Sequence, residues 1–166
     1  RHKVKRMLIL AAAAAMVFTL SGCGEDEQKT VYTPQPIGAH DRCHLCGMVI
    51  VHYEGPKAEI YIKDVEQPIK FCSGRDAFTF ALQPENARRL KAFFIHDLAK
   101  TSWATPDDAA LVDAKNLWYV YGHKIDGVMG NEPAGFSTEA AARDFMAREG
   151  GKLYRYADVT LELLEQ

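Results

Sequence analysis

The stretch that decides the fold is residues 68–84, PIKFCSGRDAFTFALQP. Its first residues alternate apolar and polar side chains, which is typical of a short strand. Ser73 is followed three residues later by Asp76, a helix-start pattern, and apolar residues then recur at helical spacing until Pro84 ends the helix. The stretch therefore predicts a strand that turns directly into a helix, with Cys72 at the corner.

The flanking segments extend this corner into a small sheet. Two apolar runs rich in β-branched or aromatic residues, 48–53 and 58–62, are separated by the turn sequence Glu-Gly-Pro and predict a β-hairpin. Residues 85–90 predict a short helical turn, and residues 91–96 predict the strand that follows it. From the strand at residues 58–62 onward, the first half of the chain thus reads strand, strand, helix, strand.

The second half repeats this order. It predicts a strand, a long loop with three glycines and a proline, a short strand, a helix ending in Gly-Gly and a last strand, at residues 114–121, 122–133, 134–136, 137–149 and 152–159. The two halves predict an α+β fold of two small ββαβ-like modules, residues 40–100 and residues 101–166.

Residues 1–22 predict an export leader. A basic start precedes an apolar run at residues 7–20, which spans about 21 Å as a helix and is too short for a hydrocarbon core of about 30 Å. The run ends in Leu-Ser-Gly before Cys23, which resembles the bacterial lipobox and implies that Cys23 is lipidated. The alternative is an ordinary secretory leader. Polar, proline-bearing residues 23–39 predict a flexible tether.

The charge balance excludes one class of partner. The whole chain carries a formal net charge of −2, but removal of the leader takes away four basic residues and leaves 16 against 22 acidic ones, a net charge of −6. A surface of that sign repels phosphate backbones. We therefore expect no nucleic-acid partner.

The segment with the most chemical information is residues 41–48, DRCHLCGM. Two thiols three residues apart can converge on one ion when the backbone between them turns, and Gly47 permits such a turn. Thiolate and thioether sulfurs are soft donors, so Met48 beside Cys43 and Cys46 favours Cu(I) over zinc. His44, inside the motif, is a further candidate ligand.

A lone C-x-x-C leaves other interpretations open. In an exported protein, Cys43 and Cys46 are also compatible with a thiol-disulfide redox protein, or with a scaffold stabilised by zinc or a disulfide. Met129, between glycines in the long loop, is either a mobile thioether ligand or a loop anchor. Cys72 at the predicted corner reads as a buried core residue, although helix starts favour thiolates.

Taken together, these segments resemble the NosL family, lipoproteins that accompany the assembly of nitrous oxide reductase. The similar parts are C-x-x-C-G-M from Cys43, K-F-C-S at the corner, W-Y-V at 118–120, V-M-G at 128–130, Phe136, the alanine-rich helix ending in Gly-Gly, and the lipobox. The resemblance implies a Cu(I) chaperone that is not an enzyme, with a fold related to the organomercurial lyase MerB.

The resemblance also implies partners and ligands. It implies copper delivery to the reductase through a membrane ABC-type transporter complex, from a lipid anchor on the periplasmic side of a bacterial membrane, inner or outer. Carried over residue by residue, the resemblance implies Cys46 and Met48 of the C-x-x-C-G-M motif and Met129 of the V-M-G motif as ligands. Cys43 matches as well; without it, the implied site is Cys46 with Met48 and Met129.

Overall fold

The computed structural model describes residues 29–166, of which Val31–Gln166 form one compact unit. The predicted leader, its lipidation site Cys23 and the first part of the tether lie outside the described residues. Among residues 29–166, no helix is both long and apolar enough to cross a membrane.

The described chain alternates short strands with short helices. The strands are β1 (Ala58–Ile62), β2 (Ile69–Phe71), β3 (Leu90–His96), β4 (Leu111–Asp113), β5 (Trp118–Tyr121), β6 (Ala134–Phe136) and β7 (Lys152–Arg155). The α-helices are α1 (Gly74–Leu82), α2 (Pro84–Ala87), α3 (Glu139–Glu149) and α4 (Leu161–Leu164). Four 3-10 turns link them, at Ile50–His52, Asp108–Ala110, Ala114–Asn116 and Tyr156–Asp158.

The strands form two antiparallel sheets, and the first three strands of each sheet are arranged in the same order. The first sheet runs β2-β1-β3-β4 and the second runs β6-β5-β7. In each, the first strand is central, the second pairs on one side, and the third returns through a helix to pair on the other. The predicted α+β class with two small ββαβ-like units is confirmed, whereas the relation to MerB stays a prediction.

The main apolar core joins the two sheets. Phe78 of α1 lies 5.0 Å from Phe93 of β3 and 5.2 Å from Tyr119 of β5, measured between ring centroids. The next residue of β5, Val120, points the other way and belongs to a smaller cluster with Phe145 of α3, as the two-residue period of a strand requires. The second sheet is therefore covered on both faces.

The predicted strand at residues 48–53 is wrong. The backbone there pairs locally with the segment just before it: Ile50 N donates to Asp41 O over 3.0 Å, and Val49 forms an isolated bridge with Arg42. Residues Ile50–His52 then form a 3-10 turn. An apolar run does not reveal which neighbour its hydrogen bonds reach, so a tight local loop was mistaken for half of a hairpin with β1.

Two predicted strands are shorter than expected, and two elements were missed. Residues Ala114–Asn116 and Tyr156–Asp158 are 3-10 turns, so that β5 starts late and β7 ends early. Asp113 caps the first turn, and in the second the Asp158 carboxylate accepts from Arg155 N. Strand β4 pairs with β3 at the edge of the first sheet. Helix α4 follows Thr160, whose side chain accepts from Leu163 N. Elements of three or four residues carry too little periodicity to be predicted from sequence.

The predicted tether and the predicted module boundary both need correction. Backbone N–H groups of Gln35 and Ile37 donate to the carboxylates of Glu59 and Asp108, each over 2.8 Å, so this part of the segment lies along the folded body. Strand β4, assigned by the prediction to the second module, belongs to the first sheet. The repeat is therefore a repeat of topology inside one compact unit.

Candidate metal centre

Residues 43–48 form a tight turn held by its own backbone. Cys43 N donates to Met48 O and Gly47 N donates to Cys43 O, each over 2.8 Å, while the Arg42 guanidinium donates to Gly47 O. Gly47 has a φ of 75°, a conformation that favours glycine. His44 N donates to Lys70 O, which ties the turn to β2. The turn thereby faces the strand-to-helix corner.

That corner places a third thiol against the turn. Cys72 lies between the end of β2 and Ser73, whose hydroxyl accepts from Asp76 N over 3.1 Å and caps α1, as predicted. The cap orients the first turn of α1 so that the Asp76 carboxyl reaches the thiols. Its Oδ2 lies 3.4 Å from Cys43 Sγ and 3.6 Å from Cys72 Sγ.

The result is a compact group of four candidate ligands, the cysteine cluster: Cys43, Cys46, Cys72 and Asp76. Their ligand atoms all lie within 4.8 Å of one another, and Cys46 Sγ lies 3.4 Å from Cys72 Sγ. All three cysteines are free thiols. Cys46 is partly accessible, whereas the other three members are buried. Three sulfurs at this spacing form a site for a soft metal ion.

The protonation of the cluster is uneven. Hydrogen bonding from Cys72 lowers the pKa of the Cys43 thiol to about 4. The same interaction, followed by burial, raises the pKa of Cys72. Burial raises the pKa of Cys46 and, with the hydrogen bond to Cys43, that of Asp76. At neutral pH, Cys43 is therefore a thiolate beside two protonated thiols.

A buried lysine lies beside the cysteine cluster. Lys57 Nζ donates to Cys72 O over 2.9 Å and to Glu54 O over 3.0 Å, and its side chain is almost fully buried. Burial lowers its pKa, while the negative charge of Glu132 and of the cysteines opposes that shift. Lys57 thus directs its amino group against the backbone of Cys72.

The glycine-rich loop is anchored to the same corner. Glu132 is fully buried; its Oε1 accepts from Gly74 N at the start of α1 over 3.1 Å, and burial raises its pKa to about 8. Gly127 packs so closely on this carboxyl that a Cβ there would lie 1.7 Å from Oε2. The loop that carries Met129 is therefore fixed against the helix that carries Asp76.

Met129 itself lies at the tip of a tight turn in this loop. Gly127 and Gly130 exchange backbone hydrogen bonds of 2.8 and 3.1 Å across Val128 and Met129. Met129 is 39% exposed, whereas Val128 packs on the core cluster that includes Cys43 and Cys72. An exposed thioether at a turn tip remains available to an ion or to a partner.

The predicted ligands are thus only partly brought together. Cys43 and Cys46 lie in the cysteine cluster, and Met48 follows in the same turn, half-buried. The ring of His44 is outside the cluster and packs edge-on against Phe80 at 5.3 Å. The assignment of Met48 and Met129 as ligands stays a prediction.

Sequence reasoning missed two members of the cluster, Cys72 and Asp76. Cys72 was interpreted as core, and its residue is indeed buried, but its sulfur faces two other sulfurs and a carboxyl. The available signal was the pattern Cys-Ser-x-x-Asp, in which a helix cap places a thiol and a carboxyl on the same corner. What sequence could not reveal is that the turn at residues 43–48 docks there.

Comparison with known proteins decides the family. The NosL family model matches residues 34–164, nearly all of the described chain. The chain belongs to the NosL family. A crystal structure of the copper chaperone NosL from Shewanella denitrificans superposes with a TM-score of 0.77 at 39% identity, covering 78% of this chain and 97% of that one.

Two NosL relatives, each named copper-binding lipoprotein NosL, match over nearly the whole chain. The one from Stutzerimonas stutzeri is 34% identical over 99% of this chain and 85% of its own length. The one from Achromobacter cycloclastes is 32% identical over 93% of this chain and 80% of its own length. These names describe metal binding and not catalysis, in agreement with the prediction that the chain is not an enzyme.

Proposed function

We propose that this NosL protein binds Cu(I) and acts as a copper chaperone. The observation that carries the proposal is the convergence of three free thiols within 4.8 Å of one another, in a chain whose NosL relatives are named as copper-binding. Soft sulfur donors favour Cu(I) over harder divalent ions. In this proposal Cys46 and Cys43 supply thiolates, and Met48 and Met129 supply thioethers.

An anaerobic competition titration tests the binding. The reduced protein is titrated with Cu(I) against a chromophoric Cu(I) chelator, beside the variants Cys46→Ser, Met48→Leu and Met129→Leu. We expect one tightly bound Cu(I) in the wild type, a large loss in Cys46→Ser and smaller losses in the two methionine variants. Failure of the wild-type protein to compete with the chelator would overturn the proposal.

We further propose that the protein is anchored by a lipid on Cys23, on the periplasmic side of a bacterial membrane. The lipobox at residues 20–23 and the lipoprotein names of two relatives support this. A lipid confines diffusion to the membrane plane and raises the effective concentration at a membrane complex. Mass spectrometry of the native protein, with Cys23→Ala as control, tests the modification: an unmodified wild-type chain in the membrane fraction contradicts it.

The proposed destination of the copper is nitrous oxide reductase, reached through a membrane ABC-type transporter complex. The family resemblance supports this step. Copper-loaded protein mixed with that complex and the metal-free reductase is expected to restore the reductase's copper absorption bands. Specific delivery would be contradicted if a free Cu(I)-chelate restored the bands equally well. It would also be contradicted if the copper-loaded protein restored none.

One observation favours a second candidate function, thiol-disulfide exchange. Cys46 Sγ and Cys72 Sγ lie 3.4 Å apart, a pairing of thiols that the sequence did not suggest. Such a pair would show a reversible two-electron couple in redox buffers of defined dithiol and disulfide content. A thiol count that stays at its reduced value across that range excludes this function.

A further inference from the structure

We infer that Cys72 is a metal ligand, so that bound Cu(I) rests in a three-sulfur site made of Cys43, Cys46 and Cys72. This inference rests on the proposed function, because it names the ligands of the same cargo ion. It goes beyond the sequence assignment, in which the thioethers of Met48 and Met129 complete the site. In our inference they serve as exchange ligands outside the resting site.

The spacing of the sulfurs fits one three-coordinate ion. With metal–sulfur bonds of about 2.3 Å, a planar three-sulfur site has sulfur–sulfur distances of about 4.0 Å. In this protein every pair of cluster ligand atoms lies within 4.8 Å, and the pair Cys46–Cys72 lies at 3.4 Å. Adjustments of less than 1 Å would bring the three thiols around one ion.

The fold holds Cys72 in this position by several independent contacts. Its carbonyl accepts from Lys57 Nζ, and the next residue, Ser73, caps α1. The Cys72 side chain is completely buried, yet its sulfur contacts another thiol and a carboxyl. A cysteine that served only to fill the core would have apolar neighbours around its sulfur.

The charge around the site suits an anionic metal complex. Cu(I) with three thiolates carries a net charge of −2. The Lys57 ammonium against the Cys72 carbonyl and the N-terminus of the nine-residue helix α1 both place positive charge there. Binding needs no redox step: the Cys43 thiolate binds directly, and the thiols of Cys46 and Cys72 each release one proton to solvent as their copper bonds form.

The three sulfurs differ in burial, and this difference indicates the side from which copper enters the site. Cys43 and Cys72 are buried, whereas Cys46 is partly accessible. Copper therefore enters and leaves past Cys46, and Cys72 retains it from the inner side. Loss of Cys72 should weaken binding strongly and accelerate release, whereas loss of an outer thioether should weaken binding less and mainly change the exchange rate.

The test combines a competition titration with X-ray absorption at the copper edge. Cys72→Ser and Cys72→Ala are compared with Met146→Leu, which removes a sulfur atom of α3 outside the cysteine cluster, and circular dichroism checks the fold of each. We expect Cu(I) affinity to fall at least a hundredfold in both Cys72 variants and to stay unchanged in Met146→Leu. Wild-type protein labelled with selenomethionine should show three copper–sulfur neighbours and no copper–selenium neighbour.

The outcomes separate the inference from the proposed function. A wild type that does not bind Cu(I) overturns both. A wild type that binds, with unchanged affinity in folded Cys72 variants or with selenium next to copper, overturns the role of Cys72 and leaves the chaperone proposal intact. If the Cys72 variants do not fold, the absorption spectrum of the labelled wild type decides, because it requires no substitution.

Discussion

The two ββαβ units share one topology and differ at one corner. In the first unit the strand ends at Phe71 and is followed by Cys72 and the cap residue Ser73. In the second unit the strand ends at Phe136 and is followed by Ser137 and the cap residue Thr138. Cys72 and Ser137 therefore hold equivalent positions, between a strand end and a helix cap.

The difference shows that two units with the same strand and helix order can carry different functional side chains. The third residue after each cap is Asp76 in the first unit and Ala141 in the second, so that only the first corner has a carboxyl beside a thiol. Only the first unit is preceded by a docked turn that supplies two more thiols. The second unit contributes instead a loop, anchored through Glu132, that presents Met129.

The largest predicted difference between the corners is in thiol acidity. In the reduced, metal-free protein, thiolate absorbance at 240 nm should fall with a midpoint of about pH 4, because Cys43 accepts hydrogen bonding from Cys72. A cysteine at the second corner, Ser137→Cys, lacks such partners and should titrate near 8.5. This separation corresponds to a factor of about thirty thousand in acidity.

The lowered pKa of Cys43 also predicts the behaviour of a control variant and the pH dependence of protein stability. Cys43→Ser should remove the low-pH step. Because the folded pKa of Cys43 lies below that of the unfolded thiol, its contribution to stability is complete above the unfolded pKa and is lost as pH falls through about 4. A midpoint for Cys43 equal to that of the cysteine at position 137 would show that the first corner does not activate a thiol.

The next largest effect concerns the packing of the two helices. Phe78→Ala should cost about 3–5 kcal/mol, because Phe78 contacts aromatic rings from both sheets. Phe145→Ala in α3 should lie at or below the lower end of that range, since Phe145 belongs to the smaller core cluster. Urea denaturation measures both. Two separate transitions, or a larger loss in Phe145→Ala, would contradict a core shared by the two units.

The sequence predicted the features that depend on neighbouring residues and missed those that depend on contacts between segments distant along the chain. The secondary structure of the corner at residues 71–76 was predicted, because a strand end, a cap and the apolar stripe of a helix are all local signals. Cys43 and Cys46 were recognised by their spacing. The docking of their turn on Cys72 was not, since it depends on one backbone contact from His44 to Lys70 and on burial that no local pattern encodes.

The anchoring of the Met129 loop offers an intermediate effect. Gly127→Ala should cost about 1–3 kcal/mol, since the added Cβ would collide with the buried carboxyl of Glu132. Combined with Glu132→Ala, the same change should cost clearly less than the sum of the two single losses, because the colliding group is gone. Thermal or urea unfolding of the wild type, the two single variants and the double variant measures the coupling energy between Gly127 and Glu132. Strict additivity would mean that the loop is not seated on Glu132.

The smallest difference should appear when each cap is removed. Ser73→Ala and Thr138→Ala each delete a side chain that accepts from the backbone, over 3.1 Å at Asp76 N and 3.2 Å at Ala141 N. Thr138 is exposed, so water can replace it and the loss should be about 0.5–1 kcal/mol. Ser73 is completely buried, which leaves Asp76 N without a partner and raises the loss to about 2 kcal/mol.

The two cap variants also differ in what they should do to the thiols. Ser73 fixes the first turn of α1 and hence the Asp76 carboxyl 3.4 Å from Cys43 Sγ, so Ser73→Ala should shift the 240 nm titration of Cys43, and Ser73→Thr should restore it. Thr138→Ala should leave that titration unchanged. If both caps cost the same and neither moves the titration, then the chemistry of the first corner resides in its cysteines alone and owes nothing to the way the helix begins.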